Sequence, residues 1–254
     1  MSLMIWNEST REELRRALPK AVVILPTGAT EQHGPHLVTG HDTFSVAEVA
    51  RQAATLAADQ GSFVLAPALP FGSSHHHLPF GGTLSLSTET YYRVVRDLVE
   101  SIVAGGGRRI FVLNGHGGNH ELVQLVARDV ALDQPDVAIA AASYWEIARA
   151  SLTAEPDFAE MTIAGHAGQF ETSTMLAMNP AFVREPRATR ESDPFLRTTI
   201  PGTRIEASGS WQSFDGFTDF PHLATADLGV RLLAVITRDV ASALTTFATD
   251  SSLP

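Results

Sequence analysis

Short runs of consecutive apolar residues alternate along this chain with longer stretches whose apolar positions recur every three or four residues. Residues 21–25, 63–66, 110–113 and 137–141 form the first class, rich in Val, Ile, Leu, Phe and Ala. Pro26 and Pro67 end the first two, and Asn114-Gly115 ends the third. No polar residue alternates with the apolar ones, so each run predicts a strand covered on both faces, as in a parallel sheet flanked by helices.

The second class predicts helices. Residues 9–18 open with Ser9 and Glu12 at capping-box spacing. In 43–59, Val46, Val49, Ala50, Ala53 and Leu56 share one face, and in 87–104 the stripe is Tyr91, Val94, Val95, Leu98 and Ile102. Residues 119–132 carry Leu122, Leu125 and Val126 on one face, and 226–247 follow Thr225 as N-cap. Regular succession of strand and helix predicts a layered α/β domain with right-handed crossovers. Residues 179–220, with Pro180, Pro186, Pro194 and Pro201, read instead as long loops with a hairpin, of the kind that covers a site.

Composition narrows the chemistry. Lys+Arg is 18 and Asp+Glu is 28 in 254 residues, so the net charge of −10 leaves no basic footprint for nucleic acid. No apolar run approaches the roughly 20 residues needed to span a bilayer, and residues 1–18 carry six charged side chains. A soluble cytoplasmic protein is expected. Cysteine is absent, which excludes disulfides, thiolate metal sites and Cys nucleophiles. The 10 histidines are clustered: His33, His36 and His41; His75, His76 and His77; His116 and His120; then His166 and His222 singly.

Ligands bind outside the carboxyl ends of strands in open parallel sheets, and three of these clusters follow predicted strands. The loops there deliver Glu31, His33, Asp42, His77 and His116 to one region. Imidazole nitrogen and carboxylate oxygen are the usual ligands of zinc, manganese or iron when thiolates are missing. Glu31 and His33 are two apart, so on an extended segment they point the same way. Asp42, at a helix start, is placed to bridge two ions. His166 and Glu171 flank the start of a further helical run ending before Pro180, as proton donor and ligand. The segment from Asn114 to Asn119 also reads as an anion nest at a helix N-terminus, which would bind phosphate without metal. Trp211, Phe214 and Phe217 read as interface or core residues ahead of an aromatic wall.

Four blocks together resemble the creatininase (creatinine amidohydrolase) family. They are the run from Leu25 to Leu37 followed by Asp42-Thr43, the Ser74-to-Thr83 element with His77, the Asn114-Gly115-His116-Gly117-Gly118-Asn119 loop, and His166-Ala167-Gly168-Gln169-Phe170-Glu171-Thr172-Ser173. A weaker echo, from Ala224 to Gly229, opens the last helix. The resemblance implies one domain over residues 1–254, a three-layer α/β/α sandwich with a mainly parallel sheet, and a homo-oligomer, usually a hexamer. It implies hydrolysis of a C–N bond in a small cyclic amide, a formamide or a related amide. Two divalent metal ions per subunit (Zn, Mn or Fe) would be held by Glu31, His33, Asp42, His116 and Glu171, with Asp42 bridging. His166 would be the catalytic acid/base, and Ser74, His77 and Asn119 would bind substrate. Creatinine-hydrolysing members carry an acidic ligand two residues after the central histidine, where this chain has Gly118; that departure argues against creatinine as substrate. The competing reading is a non-catalytic α/β protein that binds a small molecule or phosphate through its Gly-rich loops.

Overall fold

A computed structural model describes residues 2–158, 161–193, 200, 203, 205 and 207–254. Its sheet contains β1 (Ser2–Ile5), β2 (Val22–Thr27), β3 (Ser62–Leu65), β4 (Arg109–Asn114) and β5 (Ala138–Ser143). All are parallel, in the order β1-β3-β2-β4-β5. The central pair runs in register from Val22 opposite Arg109 to Thr27 opposite Asn114, so both strands end at the same level.

Two cores explain the unbroken apolar runs. Val22, Ile24, Phe111 and Leu113 face one layer, which holds α2 (His41–Leu56), α5 (Tyr144–Ala154) and α8 (Ala226–Thr249). Their neighbours Val23, Leu25, Ile110 and Val112 face the other layer, which holds α1 (Arg11–Ala17), α3 (Thr88–Ala104) and α4 (His120–Asp133). Successive strand residues point to opposite faces, and here both faces are buried. The chain is thus a three-layer α/β/α sandwich. Two shorter helices, α6 (Gln169–Met178) and α7 (Ser210–Ser213), lie above the carboxyl edge.

Several local expectations shift. The capping box lies one residue later than predicted: Glu13 Oε2 accepts from the Thr10 N–H at 2.7 Å, and Thr10 Oγ1 accepts from the Glu13 N–H. Ser9 instead donates to the Ile5 carbonyl. Helix α2 begins at His41 rather than residue 43, which brings Asp42 into its first turn. Strand β1 and helix α5 carry too little pattern to be read from sequence; β1 is four residues long, and α5 mixes Ala with Arg and Ser. Residues 179–220 contain a 3-10 turn (Pro180–Phe182) and α7 but no hairpin among the described residues; Pro194 and Pro201 lie outside them. Helix α8 is long and apolar enough to cross a membrane by composition, yet Leu232, Ile236, Val240 and Leu244 are buried in the first core.

Candidate metal centre

The carboxyl ends of β2 and β4 are adjacent, and the residues that follow them meet. Glu31 and His33 leave β2, His116 leaves β4, His41 and Asp42 open α2, and Glu171 opens α6. All six are buried. Helix starts suit Asp42 and Glu171, because the N-terminal dipole favours a carboxylate.

Asp42 is the hub. Its Oδ1 lies 2.9 Å from His33 Nε2 and 3.2 Å from His41 Nδ1, while its Oδ2 lies 3.1 Å from His116 Nδ1. Glu31 Oε1 is 3.2 Å from the same His116 nitrogen, and Glu171 Oε2 is 3.8 Å from His33 Nε2. Two groups of potential ligand atoms therefore share Asp42: His33, His41, Asp42 and Glu171 on one side, Glu31, Asp42 and His116 on the other. Within each group the atoms lie within 4.8 Å of one another.

The ring orientations are fixed from behind. His33 Nδ1 meets the Glu31 carbonyl at 3.1 Å, and His116 Nε2 meets the Ser73 carbonyl at 3.2 Å. A carbonyl only accepts, so each outer nitrogen carries the proton and each inner nitrogen faces the carboxylates. Glu31 Oε1, Glu31 Oε2 and Asp42 Oδ2 are buried and receive no hydrogen bond. A buried oxygen left without a donor is costly.

The titration behaviour reports the same deficit of positive charge. Burial disfavours a charged His33, but Asp42, Glu171 and Glu31 overcome it and push its pKa up to about 10. His116 is likewise raised, against its burial, by Glu31 and Asp42. Asp42 is held well below the usual carboxylate range, although burial opposes this, by His33, His116 and His41. Burial raises Glu171. Left to itself, the cluster takes up protons where cations would sit. Inward-facing imidazole nitrogens and orphaned carboxylate oxygens fit divalent zinc-like or manganese-like ions.

Above the cluster is a cavity of about 740 Å³ whose wall includes Glu31, His77, His116, His166, Trp145 and Trp211. The Trp211 ring meets those of His77 and His166 edge-on at 4.6 and 5.3 Å. Trp211 therefore forms an aromatic wall, contrary to the interface or core reading, whereas Phe217 is buried core. Burial, with His33 and His77 nearby, lowers the His166 pKa well below its ordinary value. Burial also lowers His77, to about 3.

Ser74 and Asn119 are placed differently from the substrate-binding role read from the sequence. Both are fully buried behind the cavity wall. Ser74 Oγ lies 3.1 Å from His116 Nε2. Asn119 accepts from the Ser73 N–H at 2.9 Å and donates to the Gly28 carbonyl at 3.1 Å, tying three loops together. The anion-nest reading also loses ground, because the N–H groups of Gly115, His116 and Asn119 are already bonded inside the protein.

Gly118 has no room for a side chain unless its neighbours move. A Cβ there would lie 2.2 Å from the Ser73 carbonyl oxygen and 2.5 Å from His116 Nε2. A side chain at this position would force the Ser73 backbone and the His116 ring to shift, and Glu171 contributes a carboxylate to the cluster from α6. Sequence reasoning missed His41, Gln32 and Trp145 and left His76 without a role. His41 and Gln32 each adjoin a residue that had been singled out, which was the available signal.

Comparison with known proteins agrees with this geometry. The model of the creatininase family, described as creatinine amidohydrolase, matches residues 7–244. A mycofactocin precursor peptide peptidase from Mycobacterium tuberculosis is 32% identical over 92% of this chain and 87% of its own length. A 3-dehydro-scyllo-inosose hydrolase from Thermotoga maritima is 30% identical over 81% of this chain and 65% of its own length. The creatinine amidohydrolase of Pseudomonas putida is 29% identical over 80% and 85%. Among solved structures, a manganese creatininase superposes with a TM-score of 0.77 at 26% identity, covering 95% of this chain and 97% of that one. A zinc–zinc form of a creatininase variant gives 0.76 at 25%, over 96% and 97%.

Proposed function

The chain belongs to the creatininase family of hydrolases that act on C–N bonds, and we propose that it is an amidohydrolase with two divalent ions held on either side of Asp42. The observation that carries this reading is the shared carboxylate: Asp42 belongs to both ligand groups, and its Oδ2 and both Glu31 oxygens lack donors. His33, His41 and Glu171 would hold one ion with Asp42, and Glu31 and His116, again with Asp42, would hold the other. Divalent metal at such a site supplies Lewis acidity, which makes water a nucleophile near neutral pH.

The remaining chemistry belongs to the chain. His166 stands at the cavity wall with Nδ1 3.6 Å from Glu31 Oε1. Burial keeps its imidazole neutral at rest. It therefore takes a proton before it gives one, accepting from the attacking water and returning the proton to the leaving nitrogen. An amide nitrogen leaves poorly as an anion, so this delivery is required. Trp211 closes the wall edge-on against both histidines.

The substrate in this reading is a small cyclic amide, a formamide or a related amide, with Gly118 weighing against creatinine. A second reading, an amide within an extended, peptide-like molecule, is supported by the similarity to the mycofactocin precursor peptide peptidase, at 32% identity over 92% of this chain. Elemental analysis of the purified protein, followed by a lactam, formamide and peptide panel, tests both. Bound zinc or manganese at two equivalents and hydrolysis abolished by EDTA and restored by metal are expected. Metal-free protein with chelator-insensitive activity would overturn the proposal. His166→Ala should keep its metal while kcat falls about 10²- to 10⁴-fold.

A further inference from the structure

Gln32 lies between the two histidines of the cavity wall, and its amide orientation is over-determined. Its Oε1 accepts from the Gly34 N–H at 2.9 Å, and its Nε2 donates to the Gly216 carbonyl at 2.9 Å. Those two backbone groups have fixed polarity, so the amide cannot be turned round. Nε2 carries one further hydrogen, and two ring nitrogens are in reach: His77 Nδ1 at 2.8 Å and His166 Nε2 at 3.1 Å.

A third backbone group decides between them. His166 Nε2 lies 2.9 Å from the Gln32 carbonyl oxygen, which only accepts. His166 Nε2 must then carry its proton and donate it there, and a protonated nitrogen has no lone pair for the amide. The remaining Gln32 hydrogen goes to His77 Nδ1, which is left unprotonated, and His77 carries its proton on Nε2.

Both rings are thus the same tautomer, but they stand in opposite senses. His77 turns Nε2–H toward Glu31 Oε1, at 3.7 Å, while His166 turns its bare Nδ1 toward the same oxygen, at 3.6 Å. The rings stack at 4.2 Å, 19° from parallel.

We propose that Gln32 is a positioning residue that divides labour between these stacked histidines, holding His77 as a hydrogen-bond donor and leaving His166 as the proton acceptor, both turned toward the Glu31 edge of the cavity. This rests on the amidohydrolase reading for its catalytic meaning. A donor fixed in place before reaction meets developing negative charge without reorganisation. The orientation of one amide thereby specifies two different tasks for identical side chains.

The test is 15N NMR of histidine-labelled, zinc-loaded protein, with His77 and His166 assigned from His77→Asn and His166→Asn spectra. Both rings are expected as the Nε2–H tautomer in the wild type. Gln32→Glu has no hydrogen to give, so His77 should gain a proton on Nδ1 while His166, bonded to backbone, keeps its state. Gln32→Met should leave His77 as a mixture of tautomers. In both variants kcat should fall about 10- to 100-fold with KM changing less. Protonation of His77 at Nδ1 in the wild type would overturn the proposal, as would a His77 spectrum unchanged in both variants. A shifted tautomer with unchanged kcat would also overturn it. Failure of the amidohydrolase reading shows separately, as chelator-insensitive activity of the metal-free wild type, with the tautomers unaffected.

Discussion

The floor and the far wall of the cavity are built in opposite ways. The floor residues Glu31, His33, Asp42, His116 and Glu171 sit directly after β2 and β4 or in the first turns of α2 and α6. Their rings are tied from behind to backbone carbonyls. The far wall rests on irregular chain. Trp211 is half-exposed on the four-residue α7, and its loop is held by Gln32 at the Gly216 carbonyl and by Arg190 at the Phe214 and Phe217 carbonyls. Arg190 also lies over the Phe217 ring at 4.0 Å. Ligand atoms must be held within tenths of an ångström to share an ion, which regular elements achieve; a surface that selects a substrate tolerates more variation and is carried on loops.

This contrast predicts a graded set of effects. Asp42→Ala should be the most severe, losing both metals and all turnover, because the carboxylate belongs to both ligand groups. Elemental analysis showing two ions retained would break the assignment of Asp42 as the shared ligand. Gly118→Ala comes next: its Cβ would meet the Ser73 carbonyl and His116 Nε2, displacing a floor ligand. Metal affinity should fall about 10- to 100-fold, measured by competition with a chelator. Trp211→Ala, on the far wall, should leave metal content unchanged and raise KM by up to about 10-fold, since an aromatic contact contributes roughly 0.5–1.5 kcal/mol. Loss of metal in that variant would mean that floor and wall are not separable. Thr10→Ala is remote from both regions and removes the α1 cap. It should lower stability by about 1 kcal/mol in denaturant titration, with metal content and KM as in the wild type.

Much of the floor could be anticipated from spacing, for a physical reason. A strand that ends at the sheet's carboxyl edge delivers the next few residues to that edge, so Glu31, His33 and His116 had few other places to go. Helix α2 begins two residues before the predicted start, and this turns His41 and Asp42 inward together. Ser74 and Asn119 show where the inference from motif to role fails. Both stand in motif blocks, but they brace the loops and do not line the cavity, and motif position does not distinguish bracing from contact. Gln32 illustrates the converse: its neighbours drew attention, but its partners lie 45, 134 and 184 residues away.

The sequence sufficed for the layered α/β architecture, because a strand buried on both faces has to be apolar throughout. It sufficed also for the nitrogen and oxygen character of the ligands, since there is no cysteine to offer sulfur. Packing settled the sharing of Asp42 between two ligand groups, the lack of room for a side chain at Gly118, the placing of Trp211 against His77 and His166, and the direction of each imidazole. Each of these depends on distances between segments far apart in the chain, and hydrogen-bond polarity is fixed only once a donor and an acceptor have been brought face to face.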